Sequence, residues 1–163
     1  MTVIGIDAST SCTGYSVFTD GQLIDYGAIA PKSSDWRERI MMESLSLRKL
    51  LFAYNPDILY AEAMPLKPGN KTLEKLGAVH GVLLCLCAEL NLKPIFLLPS
   101  AWRREIGLFD GTREGIKREV LKEKAVLMAN ELFDLELIWA GANSKKSQDD
   151  IAEAILIAYS QIK

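Results

Sequence analysis

The chain opens on a run of apolar and β-branched residues, Thr2-Val3-Ile4-Gly5-Ile6, that ends in an acid at Asp7. A short, nearly uninterrupted apolar run bounded by turn residues is the pattern of a buried strand. The small polar stretch 8–14 predicts a turn, and the alternation over 15–19 predicts a second strand. Asp20-Gly21 is a strong two-residue hairpin signal, and residues 23–29 predict a third strand closed by Pro31. The first three strands are therefore expected to be antiparallel. Ser34 or Asp35 can cap a helix reaching Tyr54, with Ile40, Leu45, Leu47, Leu50 and Leu51 as its apolar stripe. Asn55-Pro56-Asp57 stops it. A fourth strand is predicted over 58–63, again apolar and again with an acid near its end, Glu62.

Residues 64–70 hold two prolines and a glycine and predict a loop. The pattern then predicts a helix over 72–90 and a strand over 93–98. Pro99-Ser100 starts a short helix over 101–106, which residues 108–111 break. Thr112 is placed to cap a charged helix reaching Phe133, and 141–148 reads as a polar loop. A last helix is predicted over 148–162, burying Ile151, Ala154, Ile155 and Ala158. Two strands follow helices, so part of the sheet should be parallel. The expectation is an α/β fold with a five-stranded mixed sheet flanked by helices, in one domain over residues 1–163.

Composition narrows the class. With 49% apolar and 25% charged residues in 163 positions, the chain can close one core and is not a disordered tail. No apolar run reaches the ~18 residues of a membrane span. The first residues lack the basic segment of a signal peptide. Cys12, Cys85 and Cys87 are an odd count without paired spacing, so reduced thiols and a cytoplasmic location are expected. A net charge of −2 does not advertise a polyanionic partner, so any such partner must be read from local features.

The local feature that stands out is the placement of acids. Buried strands avoid carboxylates, because a buried carboxylate must be paired or bound to a metal. Asp7 and Glu62 nevertheless end two apolar strands. Asp149, Asp150 and Glu153 begin the last helix, where Asp150/Glu153 and Asp149/Glu153 are spaced to share a face. If that helix crosses the sheet near strands one and four, several carboxylates converge, and they cannot all stay ionised without a cation. Hard oxygen donors point to Mg²⁺ or Mn²⁺, and a pair of such ions is the apparatus of phosphodiester hydrolysis. Each acid also has an ordinary reading. Asp7 can serve turn hydrogen bonds, Glu62 can pair with a base, and Asp149-Asp150 suits a helix start. The argument rests on convergence.

These residues, taken together, resemble a known family. Val3-Ile4-Gly5-Ile6-Asp7-Ala8-Ser9 with Thr13-Gly14-Tyr15-Ser16-Val17 is similar to the first hairpin and first catalytic acid of RuvC-type Holliday junction resolvases, members of the RNase H-like (retroviral integrase) superfamily. Tyr60-Ala61-Glu62 resembles the second acid, and Leu76-Gly77-Ala78-Val79-His80-Gly81 the glycine-spaced helix. Trp102-Arg103-Arg104 and Gly115-Ile116-Lys117-Arg118-Glu119-Val120 resemble the two basic segments. Asp150-Ile151-Ala152-Glu153-Ala154 resembles the closing acidic motif.

The resemblance implies an RNase H-like fold and a homodimer that nicks four-way and related branched DNA symmetrically. It implies that Asp7, Glu62, Asp150 and Glu153 are catalytic and bind two Mg²⁺ ions, with Mn²⁺ able to substitute. Arg103 and Lys117 fall where the family has basic residues near the scissile phosphates. The chain departs from the bacterial pattern in three places. Glu153 stands for the usual Asp, and Asp149 is an extra acid. Met64-Pro65-Leu66-Lys67-Pro68 stands where those enzymes carry an aromatic wedge. Divergence of this degree implies a phage-type member with relaxed sequence preference.

Residues 102–124 hold seven basic residues against five acids, which a solvated helix explains as well as a nucleic-acid surface does. Lys117, Arg118 and Lys124, with Lys145 and Lys146, can line a phosphate groove, and Arg103 and Arg104 extend it. Residues 76–90 are almost wholly apolar, which predicts either full burial or a two-fold interface. His80, the one histidine, reads as a core residue, and Trp102 and Trp139 as packing residues. Gly77 and Gly81 are spaced for close helix packing, and Cys85 and Cys87 point to different helix faces.

Two other classes stay open. Asp7-Ala8-Ser9-Thr10 through Gly14 also opens nucleotide-binding phosphotransferases of the sugar-kinase and actin type, which need a second domain around the nucleotide. A non-catalytic DNA-binding protein of the same fold would keep the bases and lose the acids. A nuclease on RNA or RNA–DNA hybrid shares the fold and the metals.

Overall fold

Three antiparallel strands at the N-terminus form one half of the sheet in the computed structural model, which describes residues 1–64, 70–109 and 111–163, with the backbone alone at 70–72. β1 (Thr2–Asp7), β2 (Thr13–Thr19) and β3 (Gln22–Ile29) are joined by the expected hairpin. Asp20 and Gly21 both take positive φ, 51° and 81°, as a tight turn matched to strand twist requires. β4 (Ile58–Glu62) adds parallel to β1, and β5 (Pro94–Leu97) parallel to β4, giving the order β3-β2-β1-β4-β5.

Helices cover both faces. α1 (Trp36–Tyr54) and α2 (Asn70–Glu89) lie on one, against Ile4, Ile6, Val17, Leu59 and Ala61. α3 (Pro99–Glu105), α4 (Arg118–Phe133) and α5 (Asp149–Ile162) lie on the other, where Val3 and Phe18 join Trp102, Leu121, Ala125, Ile155 and Leu156. The alternation of strand side chains does the sorting, so Val3, Gly5 and Asp7 share the α5 face. α5 is buried nearly all round, which explains why its apolar residues exceed a single stripe. Its close approach depends on small residues. A Cβ on Gly14 would lie 1.9 Å from the Asp150 carbonyl oxygen, and one on Gly5 2.2 Å from that of Ala154. Ser16 Oγ donates to the Ala154 carbonyl at 2.9 Å.

Several expectations change. β2 starts at Thr13, and the short third helix starts at Pro99, whose fixed φ and missing N–H suit a first helical position. α1 is capped by Asp35, which accepts from Arg37 N–H at 2.9 Å, as one of the two expected caps. Its stripe differs from the expected one, because Leu45 is 63% exposed while Glu43 is buried. Thr112 does not cap the charged helix. Its hydroxyl accepts from Gly115 N–H at 2.9 Å, closing a separate turn, and α4 begins only after Lys117. Lys117 therefore stands at the cap, just ahead of the helix that carries Arg118 and Lys124. α2 is not fully buried. Val79, Leu83, Leu86 and Cys87 face inward, while Leu84 and Cys85 are exposed. Among the described residues nothing lies within 4 Å of a Cβ built on Gly77 or Gly81, so none of them packs there. His80 is buried and stacks on Phe96 at 4.7 Å, with burial pushing its pKa down. The segment 65–69, with the Pro65-Leu66 departure, lies outside the described residues, as does Asp110. Among the described residues no helix is long and apolar enough to cross a membrane.

Candidate active site

β1 and β4 run parallel and adjacent, so their C-terminal ends lie side by side. This brings Asp7 and Glu62 together at one edge of the α5 face. Asp7 pairs in register with Gly14, over which the start of α5 rests. The glycine thus sets the first turn of α5, with Asp150 and Glu153, directly against Asp7. All four acids, with Asp149, line one cleft of about 1330 Å³.

The electrostatics follow from this crowding. The Asp7 carboxyl is pushed well above the usual range, first by burial and then by Glu153, Glu62 and Asp150, with Lys122 opposing. Glu62 is raised by burial and by Glu153, against the pull of Arg103, Lys122 and the Trp102 N–H. Two cations hold the acids in place. Arg103 of α3 reaches Glu62 at 3.3 Å and Glu153 at 2.6 Å through one nitrogen, while its buried Nε has no hydrogen-bond partner among the described residues. Trp102 is buried, as expected of a packing residue, and its indole N–H donates to Glu62 at 3.1 Å. Lys122 of α4 pairs with Asp149 and lies 3.6 Å from Asp150. Among the described residues no three His, Cys, Asp or Glu side chains form a ready cage for an ion. The donor set itself fits a hard divalent cation. It is all carboxylate oxygen, and its central member carries a repulsion that a cation would relieve.

The expected basic residues separate into groups. Arg103 sits inside the acid cluster. Arg118 and Lys145 line the cleft. Lys117 is exposed and paired with Glu114, and neither it, Arg104 nor Lys146 contributes to the cleft wall. Lys122 was visible in the sequence only as one cation in a mixed run. Lys32 and Arg39, which also line the cleft, escaped sequence reasoning. Their one sequence signal is position, flanking the turn after the strand closed by Pro31. Arg39 is held by the carbonyls of Thr10 at 2.8 Å and Ser33 at 2.7 Å. It thereby ties α1 to the loop that follows Asp7. Glu43 supports the same loop from below by bonding Thr13 Oγ1, which accepts from Ser9 N–H at 3.0 Å. Cys12 lines the cleft, its thiol pushed up to about 12 by burial and by Asp150, so it stays protonated.

A mixed five-stranded sheet with acids at the ends of its two central parallel strands, met by acids from a crossing helix, defines a protein of RNase H-like architecture. The profile of the family described as crossover junction endodeoxyribonuclease RuvC matches residues 3–160. The chain belongs to that family, whose members are endodeoxyribonucleases, hydrolases of phosphodiester bonds.

Named relatives agree. The RuvC protein of Nitratidesulfovibrio vulgaris (strain Hildenborough) is 31% identical over 110 residues, which span 65% of this chain and 66% of that protein. That of Dictyoglomus turgidum is 30% identical over 147 residues, covering 82% of this chain and 90% of the relative. Among solved structures, Thermus thermophilus RuvC in complex with a Holliday junction substrate superposes with a TM-score of 0.73 at 17% identity, over 98% of this chain and 92% of that one. Fowlpox virus resolvase, solved with Holliday junction DNA, superposes at 0.62 and 18% identity, over 99% and 97%. At these identities the superpositions establish the shared fold.

Proposed function

We propose that this protein is a metal-dependent endonuclease that resolves four-way DNA junctions and related branched DNA by symmetric nicking, acting as a homodimer. The observation that carries the reading is the half-buried Asp7 carboxyl, crowded by Glu62, Asp150 and Glu153 in a cleft that Arg118, Lys145, Lys32 and Arg39 also line. Asp7, Glu62, Asp150 and Glu153 would hold two Mg²⁺ ions, with Mn²⁺ able to substitute. Bound there, the ions would supply positive charge to the scissile phosphate and ease deprotonation of water near neutral pH. The rim cations attract and orient the backbone, while exposed Arg104, Lys117 and Lys146 extend the positive surface beyond the cleft. Arg103 holds Glu62 and Glu153 toward Asp7. Hydrolysis with the 3′-oxygen leaving gives 5′-phosphate and 3′-hydroxyl ends.

A two-fold symmetric junction needs two such sites. The open face of α2, with uncovered Gly77 and Gly81 and with Leu84 49% exposed, is suited to a second copy.

The test is to incubate the protein with a mobile four-way junction, with and without Mg²⁺, and map nicks on both strands. Paired symmetric nicks that need the metal are expected. Asp7→Asn should reduce cleavage by about a thousandfold or more while leaving junction binding intact. Cleavage by that variant would overturn the site. Scattered unpaired nicks would point to a general branched-DNA nuclease. Stronger cutting of RNA–DNA hybrid would move the substrate class, and binding without cutting would favour a scaffold.

A further inference from the structure

Asp149 and Asp150 are neighbours at the start of α5, and spacing alone gives them equal claim to an ion. Their surroundings separate them. Asp150, its side chain 28% exposed, lines the cleft with Asp7, Glu62 and Glu153, and its charge is among those that raise Asp7. The Asp149 side chain is 8% exposed, and its carboxylate is engaged by Lys122, whose side chain is 12% exposed. The Lys122 ammonium also lies 3.6 Å from Asp150. A cation this deeply buried must have an anion, because desolvation otherwise expels or neutralises it. Both carboxylates in reach of Lys122 line the cleft, but Asp150, with its side chain 28% exposed, is the more open of the two.

We propose that Asp149 is a positioning residue rather than an ion ligand: it tethers Lys122 across the α4–α5 contact and keeps that ammonium from closing on Asp150, so that Asp150 holds only the longer contact and stays open to a divalent cation. This deepens the metal-binding reading above and rests on it. Remove the Asp149 charge and Lys122 has Asp150 as its nearest anion. The lysine then competes with the ion for that carboxylate. Remove Lys122 as well and the competition ends. A ligand role for Asp149 makes the opposite demand, since a lost ligand stays lost whatever stands at 122.

The experiment is a double-substitution cycle read by Mn²⁺ titration calorimetry on the protein without DNA. Asp149→Asn is expected to weaken Mn²⁺ binding about tenfold in the native background, but less than about twofold in a Lys122→Met background. Lys122→Gln provides the same background should Lys122→Met fail to fold. Equal weakening in both backgrounds would make Asp149 a ligand and overturn the tether, as would no weakening in the native one. Mn²⁺ binding that requires Asp7 but ignores Asp149 refutes the tether alone. Absent binding, or binding that survives Asp7→Asn, refutes the metal-site reading and the tether with it.

Discussion

The two faces of the sheet are packed by different means. On the face that carries the acids, α5 lies so close that Gly14 and Gly5 leave no room for a methyl group between strand and helix backbone. On the other face the glycines of α2 are open, and Leu84 beside them is half exposed. The same residue type therefore does opposite things. Gly14 fixes the height of Asp150 and Glu153 above Asp7, whereas Gly77 and Gly81 leave a surface that no described residue covers. Fixed geometry belongs where charges must converge, and an open apolar face belongs where another surface can dock.

The sharpest way to break this contrast is to add one methyl group on each face. Gly14→Ala should destabilise the fold by about 3 kcal/mol or more, because the clash is with backbone that cannot rotate away. Gly77→Ala should stabilise it by about 0.5–1 kcal/mol, because a helical alanine loses less entropy on folding. Urea unfolding of the two variants against the native chain measures both, and similar losses in each would erase the distinction between the faces.

The next largest effect concerns the carboxyl buried on the open side. Glu43 is pushed up to about 7 by burial, with its Thr13 bond and Arg39 opposing. The unfolded carboxyl ionises near 4.5 while the folded one keeps its proton until about 7. The folded state is therefore least penalised below 4.5 and loses stability as pH rises to about 7. Asp7 and Glu62 shift in the same direction, so the comparison must be by difference. Glu43→Gln should flatten this fall, and a Tm-against-pH curve parallel to the native one would refute it. A smaller effect separates wall from surround. Arg118→Ala and Lys145→Ala should each weaken junction binding a few-fold and reduce its salt slope by about one, and Lys117→Ala by less. Equal slopes for all three would show that the cleft wall is not the phosphate track.

Much of this was legible along the chain because the signals are local. The Asp20-Gly21 turn, the strand ends at Asp7 and Glu62, and the cap at Asp35 each follow from a few adjacent residues. Misreadings arose where a distant partner decided. Hydrophobicity assigns Leu45 to the core and Glu43 to solvent. The Thr13 hydroxyl, thirty residues away, reverses that by giving the carboxylate a bond at a buried position. Thr112 has the right side chain for a cap, yet Gly115 takes its hydroxyl into a turn of its own. Arg103 reads as a base for the scissile phosphate, and only the fold shows that Glu62 and Glu153 share its guanidinium.

The sequence by itself determined the order of elements, the antiparallel opening, the family, and which acids sit at strand ends and at the start of a helix. These are properties of short windows, governed by side-chain periodicity and turn chemistry. Tertiary structure alone decided that Asp149 is closed on Lys122 while Asp150 stays the more open of the two, and that Lys32 and Arg39 join Arg118 and Lys145 around one cleft. Those choices depend on how closely α5 settles on the sheet and on which cation each buried carboxylate meets. Burial and charge balance fix both, and they act only between segments that folding has brought together.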